Sequence, residues 1–317
     1  MENNPISGYL ESMKALVAPN ALKGSLTSRE AASIMGGALP ESWQSVLCPI
    51  ADGGDGTLDC LIEATRGKFF ESIVPGPLPS RKVKARWGVL GDGKTAVIEM
   101  AEASGLRLLS PSEHAATETT TAGVGELIRI ALDDGYQKFL VGLGGSATND
   151  GGAGCMKTLG ARFFDSVGNE LDCSGKSLVH LKSIDLTEFD KRLSVCEFIG
   201  LADVNNVLHG PAGAAHTFAG QKGASVDEIE LLDKGLRTYS EILHQQLKVD
   251  VARISGSGAA GGLGGGLIAF CNARIVSGID FILDLIKFDY SLRDCDLVLT
   301  AEGSLDAQTV RGKGIAG

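Results

Sequence analysis

Residues 139–154 read FLVGLGGSATNDGGAG, and this stretch decides the fold class. Its first five residues (139–143) have the length and apolar content of a buried strand. Glycines and small polar side chains break the run at once, and a helix can start on the far side. The same pattern recurs at 14–19 (KALVAP), 45–50 (SVLCPI), 96–100 (AVIEM), 198–202 (FIGLA) and 296–300 (DLVLT). The loops that follow are NALKGS, ADGGDGT, AEASG, DVNN and AEGSLD. Helical patterns follow most of them, at 28–39, 58–64 and 125–132, with a longer one at 226–247. Strand–loop–helix alternation predicts an α/β fold with parallel sheet and helices on its faces. Ligands in such folds bind beyond the carboxyl ends of the strands. Six strand ends carrying Asp, Asn, Ser, Lys and Gly therefore point to one polar site.

One stretch breaks the alternation. Residues 83–90 and 94–100 flank Gly91-Asp92-Gly93, which predicts a β-hairpin with a tight turn. An antiparallel piece there suggests that a second subdomain begins near 75–79 (PGPLP) and ends near Phe288. The expected domains are 13–75 plus 289–317, with 76–288 inserted and the cleft between them as the site. Residues 1–12 read as a flexible extension ahead of Met13.

Three glycine-rich segments carry the chemistry. In 142–154, Gly144 and Gly145 let the backbone approach a ligand, Ser146, Thr148 and Asn149 offer donors, and Asp150 suits a helix cap. Free N–H groups at a helix start favour an anion such as a phosphate or carboxylate. In 51–57, Asp52 and Asp55 stand at the head of a predicted helix, able to hold Mg²⁺ or accept a hydroxyl proton. Residues 256–266 (GSGAAGGLGGG) contain a GxGxxG through Gly256, Gly258 and Gly261. A dinucleotide site needs a firm strand before that motif, and 251–255 (VARIS) is a poor one, although Asp280 lies at a suitable distance. A backbone cradle or close packing into a helix beginning near Leu267 is the other reading. Walker-A, protein-kinase, HExxH and GxSxG patterns are missing. The five histidines show no ligand spacing.

Composition narrows the class. The 317 residues are 44% hydrophobic and 21% charged, with 43 glycines in no repeating period, which fits a globular chain of two domains. A formal charge of −10 argues against nucleic acid or an anionic membrane as partner. No apolar run approaches the ~18 residues of a membrane span, and the first residues lack the features of a signal peptide. Seven dispersed cysteines without a CxxC pair predict reduced thiols and a cytoplasmic location.

Taken together, 18–26 (APNALKGSL), 51–57 (ADGGDGT), 144–154 (GGSATNDGGAG), 202–208 (ADVNNVL), 221–224 (QKGA), 256–264 (GSGAAGGLG) and 301–308 (AEGSLDAQ) resemble the bacterial-type glycerate kinases. The resemblance runs in order from Met13 to the end, departing at Val207, where a proline is expected. It implies a Rossmann-like, flavodoxin-like domain split by a second α/β domain. It also implies ATP and Mg²⁺ as cofactors, D-glycerate as substrate and 2-phosphoglycerate as product. Further strand and helix units are expected beyond Gly317, so the first domain reads as incomplete. A homodimer is compatible with this reading. From loop position, Lys23 is expected to neutralise phosphate or carboxylate oxygens. Asp52 is the first choice for deprotonating the hydroxyl, Asp203 the second, and Glu302 and Asp306 are expected to hold Mg²⁺. Ser146, Asn149 and the nearby glycines would bind an anionic group, with Asn205, Asn206 and Lys222 lining the cleft. A nicotinamide-dependent oxidoreductase built on the GxGxxG, and a non-catalytic ligand-binding relative, are the alternatives.

Overall fold

The computed structural model describes residues 13–22 and 24–303. Three strands, β1 (Lys14–Val17), β2 (Gln44–Leu47) and β11 (Leu297–Leu299), form a parallel sheet in the order β11-β1-β2. A larger sheet has the order β10-β9-β6-β5-β4-β3. Its parallel half comprises β5 (Thr95–Glu99), β6 (Lys138–Gly142), β9 (Glu197–Ala202) and β10 (Arg274–Ser277). Its antiparallel half adds β3 (Lys68–Pro75) and β4 (Lys82–Val89). A small antiparallel pair, β7 (Arg162–Phe164) with β8 (Ser183–Asp185), stands apart.

The middle strands are buried on both faces, and their two-residue period sorts side chains between two cores. Ala96, Ile98, Phe139, Val141 and Phe198 face one side. There they meet α4 (Ala122–Asp133), α5 (Ala153–Thr158), α6 (Val226–Leu247) and α7 (Leu263–Cys271), through Leu127, Met156, Leu236 and Leu267. Val97, Leu140 and Leu201 face the other side, against Leu58, Leu61 and Ile62 of α2 (Thr57–Thr65) and Ile282 of α8 (Gly278–Leu285). Each such aliphatic side chain contributes roughly 1.5–3 kcal/mol by leaving water. A third, small core joins Ala18 and Ile50, at the ends of the small sheet's strands, to Ile279 of α8. Helix starts follow local chemistry: α1 (Ser28–Gly37) opens on a Thr27/Glu30 capping box and α6 on a Ser225/Glu228 box.

The parallel strands and the hairpin are as expected, with Gly88 opposite Val97 and Val89 opposite Ala96. Other expectations need correction. Lys68–Pro75 pairs along its full length with β4 in the large sheet, and α2 packs on that sheet too. The chain therefore passes from the small sheet to the large one between Leu47 and Thr57, well before 75–79. The strand is hard to read because it is an edge: Phe69 and Ile73 face solvent among Lys68 and Glu71. Residues 251–255 form turns, in keeping with their poor strand pattern, whereas α7 begins at Leu263 rather than near Leu267. Without that strand, the GxGxxG lacks the setting of a dinucleotide fingerprint.

Helix α2 lies close to the sheet because Gly88 has no side chain. A Cβ there would sit 2.6 Å from Ile62 Cδ1 and 2.9 Å from the Lys68 carbonyl oxygen. Gly88→Ala should cost about 1–3 kcal/mol by overpacking. Adding Ile62→Val should cost less in that background than alone, measured as a double-mutant cycle in urea.

Candidate active site

Loops from both sheets meet at the carboxyl ends of their strands. The segment after β2 crosses to the large sheet and comes closest at Gly53-Gly54, where a side chain on Gly53 has no room. A Cβ on Gly53, at φ +89°, would lie 2.7 Å from the Leu201 carbonyl oxygen. Gly144 N–H donates to the Gly53 carbonyl at 2.9 Å, and a Cβ on Gly144 would be 2.3 Å from Gly54 Cα. This contact fixes the preceding carboxylate. Asp52 is buried, its Oδ2 accepting from Asn20 Nδ2 at 3.1 Å and its Oδ1 from Gly54 N–H at 3.2 Å. Asn20 lies just past β1, so Asp52 is held by residues following two strands of the small sheet. A cleft of about 770 Å³ opens here, lined by Asp52, Asp55, Gly144, Gly145, Ser146, Asp203 and Lys222 among others.

Lys222 is the unusual group. It is 2% exposed, and its Nζ donates to Ser146 Oγ at 2.8 Å and to the Thr148 carbonyl at 2.6 Å. Burial pulls its pKa down to about 7, partly opposed by the Asp150 carboxylate. An ammonium that donates to Ser146 Oγ leaves the hydroxyl proton free to point elsewhere, as a donor to an anion in the cleft. A neutral amine could instead accept that proton.

The remaining expected residues fall into several groups. Thr148, Asn149 and Asp150 are fully buried and do not line the cleft. Asp150 is instead a structural tie, accepting from Thr121 N–H and Oγ1 (both 2.8 Å), Gly152 N–H (3.0 Å) and Gly154 N–H (3.2 Å). Burial raises its pKa against those four bonds. Asn206 Nδ2 donates to the Ala212 carbonyl and to Thr217 Oγ1, bracing its own loop, and the Asn205 carbonyl accepts from Ser255 Oγ at 3.5 Å. Gly256, Gly258 and Gly261 allow close packing: a Cβ on Gly258 or Gly261 would lie 2.2 Å from the Val207 or 1.9 Å from the Thr148 carbonyl oxygen. Asp203 borders the cleft and accepts from Ile279 N–H at the start of α8. Glu302 follows β11 beside the loop of Asn20, whose N–H donates to the Ala301 carbonyl. Lys23 and Asp306 lie outside the described residues.

A charged wall of the cleft was missed. Glu102 Oε1 accepts from Arg86 Nη2 at 2.9 Å and Arg107 Nη2 at 2.7 Å, and its Oε2 from Arg86 N–H at 3.1 Å. Burial works against its charge, but the two guanidiniums and the N–H hold its pKa below the usual range. Arg86 also forks onto both oxygens of Asp59. Glu99, at the end of β5, accepts from Leu58 N–H at 3.0 Å, capping α2 where Gly56 has no side chain to do so. Burial, then the Glu102 and Asp55 charges, push its pKa up to about 8. The sequence signal was present in AEASG after β5, but Glu99 reads as strand and the arginines are remote in sequence. His114 also lines the cleft. Among the described residues no three His, Cys, Asp or Glu side chains converge in a metal-binding group. No helix among them is long and apolar enough to cross a membrane.

The sequence profile of the Glycerate kinase family matches residues 15–317. The chain is 44% identical over 304 residues to the glycerate 2-kinase of Escherichia coli (strain K12), covering 95% of this chain and 80% of that one. It is 42% identical over 308 residues to the glycerate kinase of Bacillus subtilis (strain 168), covering 95% and 79%. A crystal structure of a Salmonella typhimurium LT2 protein, provisionally named glycerate kinase 2, matches with a TM-score of 0.82 and 44% identity, over 95% and 81% of the two chains.

Lys222 gives the cleft a pH signature. A bound anion favours the ammonium and so raises its pKa above the free value of about 7. Anion affinity should be full below pH 7 and fall as pH rises from there to the pKa of the complex. Lys222→Met should flatten that slope in a titration with an anionic ligand. A slope unchanged in the variant would assign it to another group.

Proposed function

The chain belongs to the glycerate kinase family, and from that premise we propose that it transfers the γ-phosphoryl group of ATP to D-glycerate, giving 2-phosphoglycerate. The observation that carries this reading is the meeting of Asp52, the turn of Gly144, Gly145 and Ser146, and Lys222 in one cleft between the two sheets. Phosphoryl transfer asks mainly for positioning and for neutralising charge, and these groups suit both tasks.

Asp52 orients the attacking hydroxyl and takes its proton. Asn20 and the Gly54 N–H hold the carboxylate in place. Asp203, on the opposite lip, is the second choice for that proton. Ser146, aimed by Lys222, and the N–H groups of the glycine turn receive an anionic group of the acid or of the phosphate. Thr148, Asn149 and Asp150 support that turn from behind, while Asn205, Asn206, Gly256, Gly258 and Gly261 shape the adjoining wall. Lys23 is assigned to phosphate or carboxylate oxygens.

The donors suit Mg²⁺, a hard cation usually held by one or two carboxylates together with nucleotide phosphates. Glu302 and Asp306 are the carboxylates assigned to it, and so few protein ligands would fit a metal that arrives with the nucleotide. When bound there, the metal would supply part of the charge neutralisation that phosphoryl transfer from ATP requires. Seven free thiols suit a cytoplasmic location.

An assay of ADP release with ATP, Mg²⁺ and D-glycerate, followed by phosphorus and carbon NMR of the product, tests the reading. Glycerate-dependent ADP with phosphate on carbon 2 is expected. Phosphate on carbon 3 would overturn the product assignment, and glycerate binding without turnover would favour a non-catalytic relative. Asp52→Asn should lower kcat/KM by roughly 10²-fold. Near-normal kinetics in that variant would move the proton-accepting role to Asp203.

A further inference from the structure

We propose that Arg107 binds the carboxylate of the acceptor and so restricts the reaction to hydroxy acids, an inference that rests on the kinase reading above. Arg107 lies in the short turn Leu106–Leu108, just past α3 (Met100–Ser104). That turn is laced to the glycine loop of the cleft. Leu106 N–H donates to the Gly145 carbonyl at 2.9 Å, and Ala147 N–H to the Ser104 carbonyl at 2.9 Å. Lys222 grips the same loop through Ser146. Gly145 and Ser146 therefore sit between two cationic side chains, in a cleft that both cations line.

The guanidinium is aimed without being used up. Its Nη2 donates to Glu102 and its Nε lies 3.3 Å from Asp55 Oδ1, which sets the plane of the fork. Glu102 also takes two hydrogen bonds from Arg86, so Arg107 shares that carboxylate rather than serving it alone. Among the described residues no hydrogen bond uses Arg107 Nη1, and the side chain is 45% exposed where the cleft opens. A planar, permanently charged fork matches a carboxylate better than a lysine would. Glu99, raised to about 8, is mostly neutral at pH 7 and does not oppose an anion there.

The test compares Arg107→Gln and Arg107→Lys with the unaltered chain. Steady-state kinetics would use D-glycerate and glycerol, the neutral analogue without the carboxylate, as acceptors. Arg107→Gln should raise KM for glycerate about 10²-fold, and the preference for glycerate over glycerol should fall by a similar factor. KM for ATP should stay within about twofold, and Arg107→Lys should recover part of the loss. Equal losses with both acceptors would mean that Arg107 only supports the fold. A raised KM for ATP with unchanged acceptor preference would assign it to nucleotide phosphate. Calorimetric titration of glycerate into the same proteins decides the matter if the unaltered chain turns nothing over. Loss of glycerate heat in Arg107→Gln would then uphold the proposal, and equal affinity would overturn it. An unaltered chain that binds but does not react is a failure of the kinase reading alone.

Discussion

The contact between Gly53-Gly54 and Gly144 is the constraint on which the rest of the site depends. Two backbones, one after β2 of the small sheet and one after β6 of the large sheet, touch with a 2.9 Å hydrogen bond and no intervening side chain. Everything chemical follows from that closeness. Asp52 is brought under the glycine turn, and Ser146 is placed within reach of Lys222. Strand β6 is buried on both faces, so the loop that follows it cannot drift without opening a core.

Charge in the cleft is arranged so that few groups are both buried and unmet. Glu102 is ionised because two arginines and an N–H surround it. Glu99, nearby but with one backbone donor, stays largely protonated at neutral pH. Lys222 balances near neutrality for the opposite reason, a cation with two oxygen partners and little solvent. Two carboxyls three residues apart thus have opposite protonation, set by their partners rather than by residue type. The chain's net charge of −10 says nothing about this local balance.

Much of the architecture was legible because buried parallel strands announce themselves. FLVGL, AVIEM and FIGLA are apolar runs ended by polar loops, and the helical pattern at 226–247 matches the observed bounds of α6. Lys68–Pro75 went unread as a strand because an edge with exposed Phe69 and Ile73 lacks a clean alternation. Residues that line the cleft could be read where a strand runs out, as with Asp52 and Ser146, while Lys222 came from the QKGA motif in a helical turn. It was illegible where function depends on tertiary neighbours. Nothing local distinguishes Arg107, whose guanidinium meets Glu102 and Asp55 only in space. Conversely, Asn149 and Asp150 looked like ligand groups, yet zero exposure makes them part of the scaffold.

The two-faced strands also govern how such a sequence can change over generations. Along β5, Ala96 and Ile98 serve one core while Val97 serves the other. Inserting or deleting one residue upstream within the strand would exchange the two sets and spoil both cores at once. Length variation is therefore channelled into the ends of the strands remote from the cleft and into outlying pieces such as β7 and β8. Inside the strands that carry the site, innovation must therefore proceed by substitution rather than by a change of length.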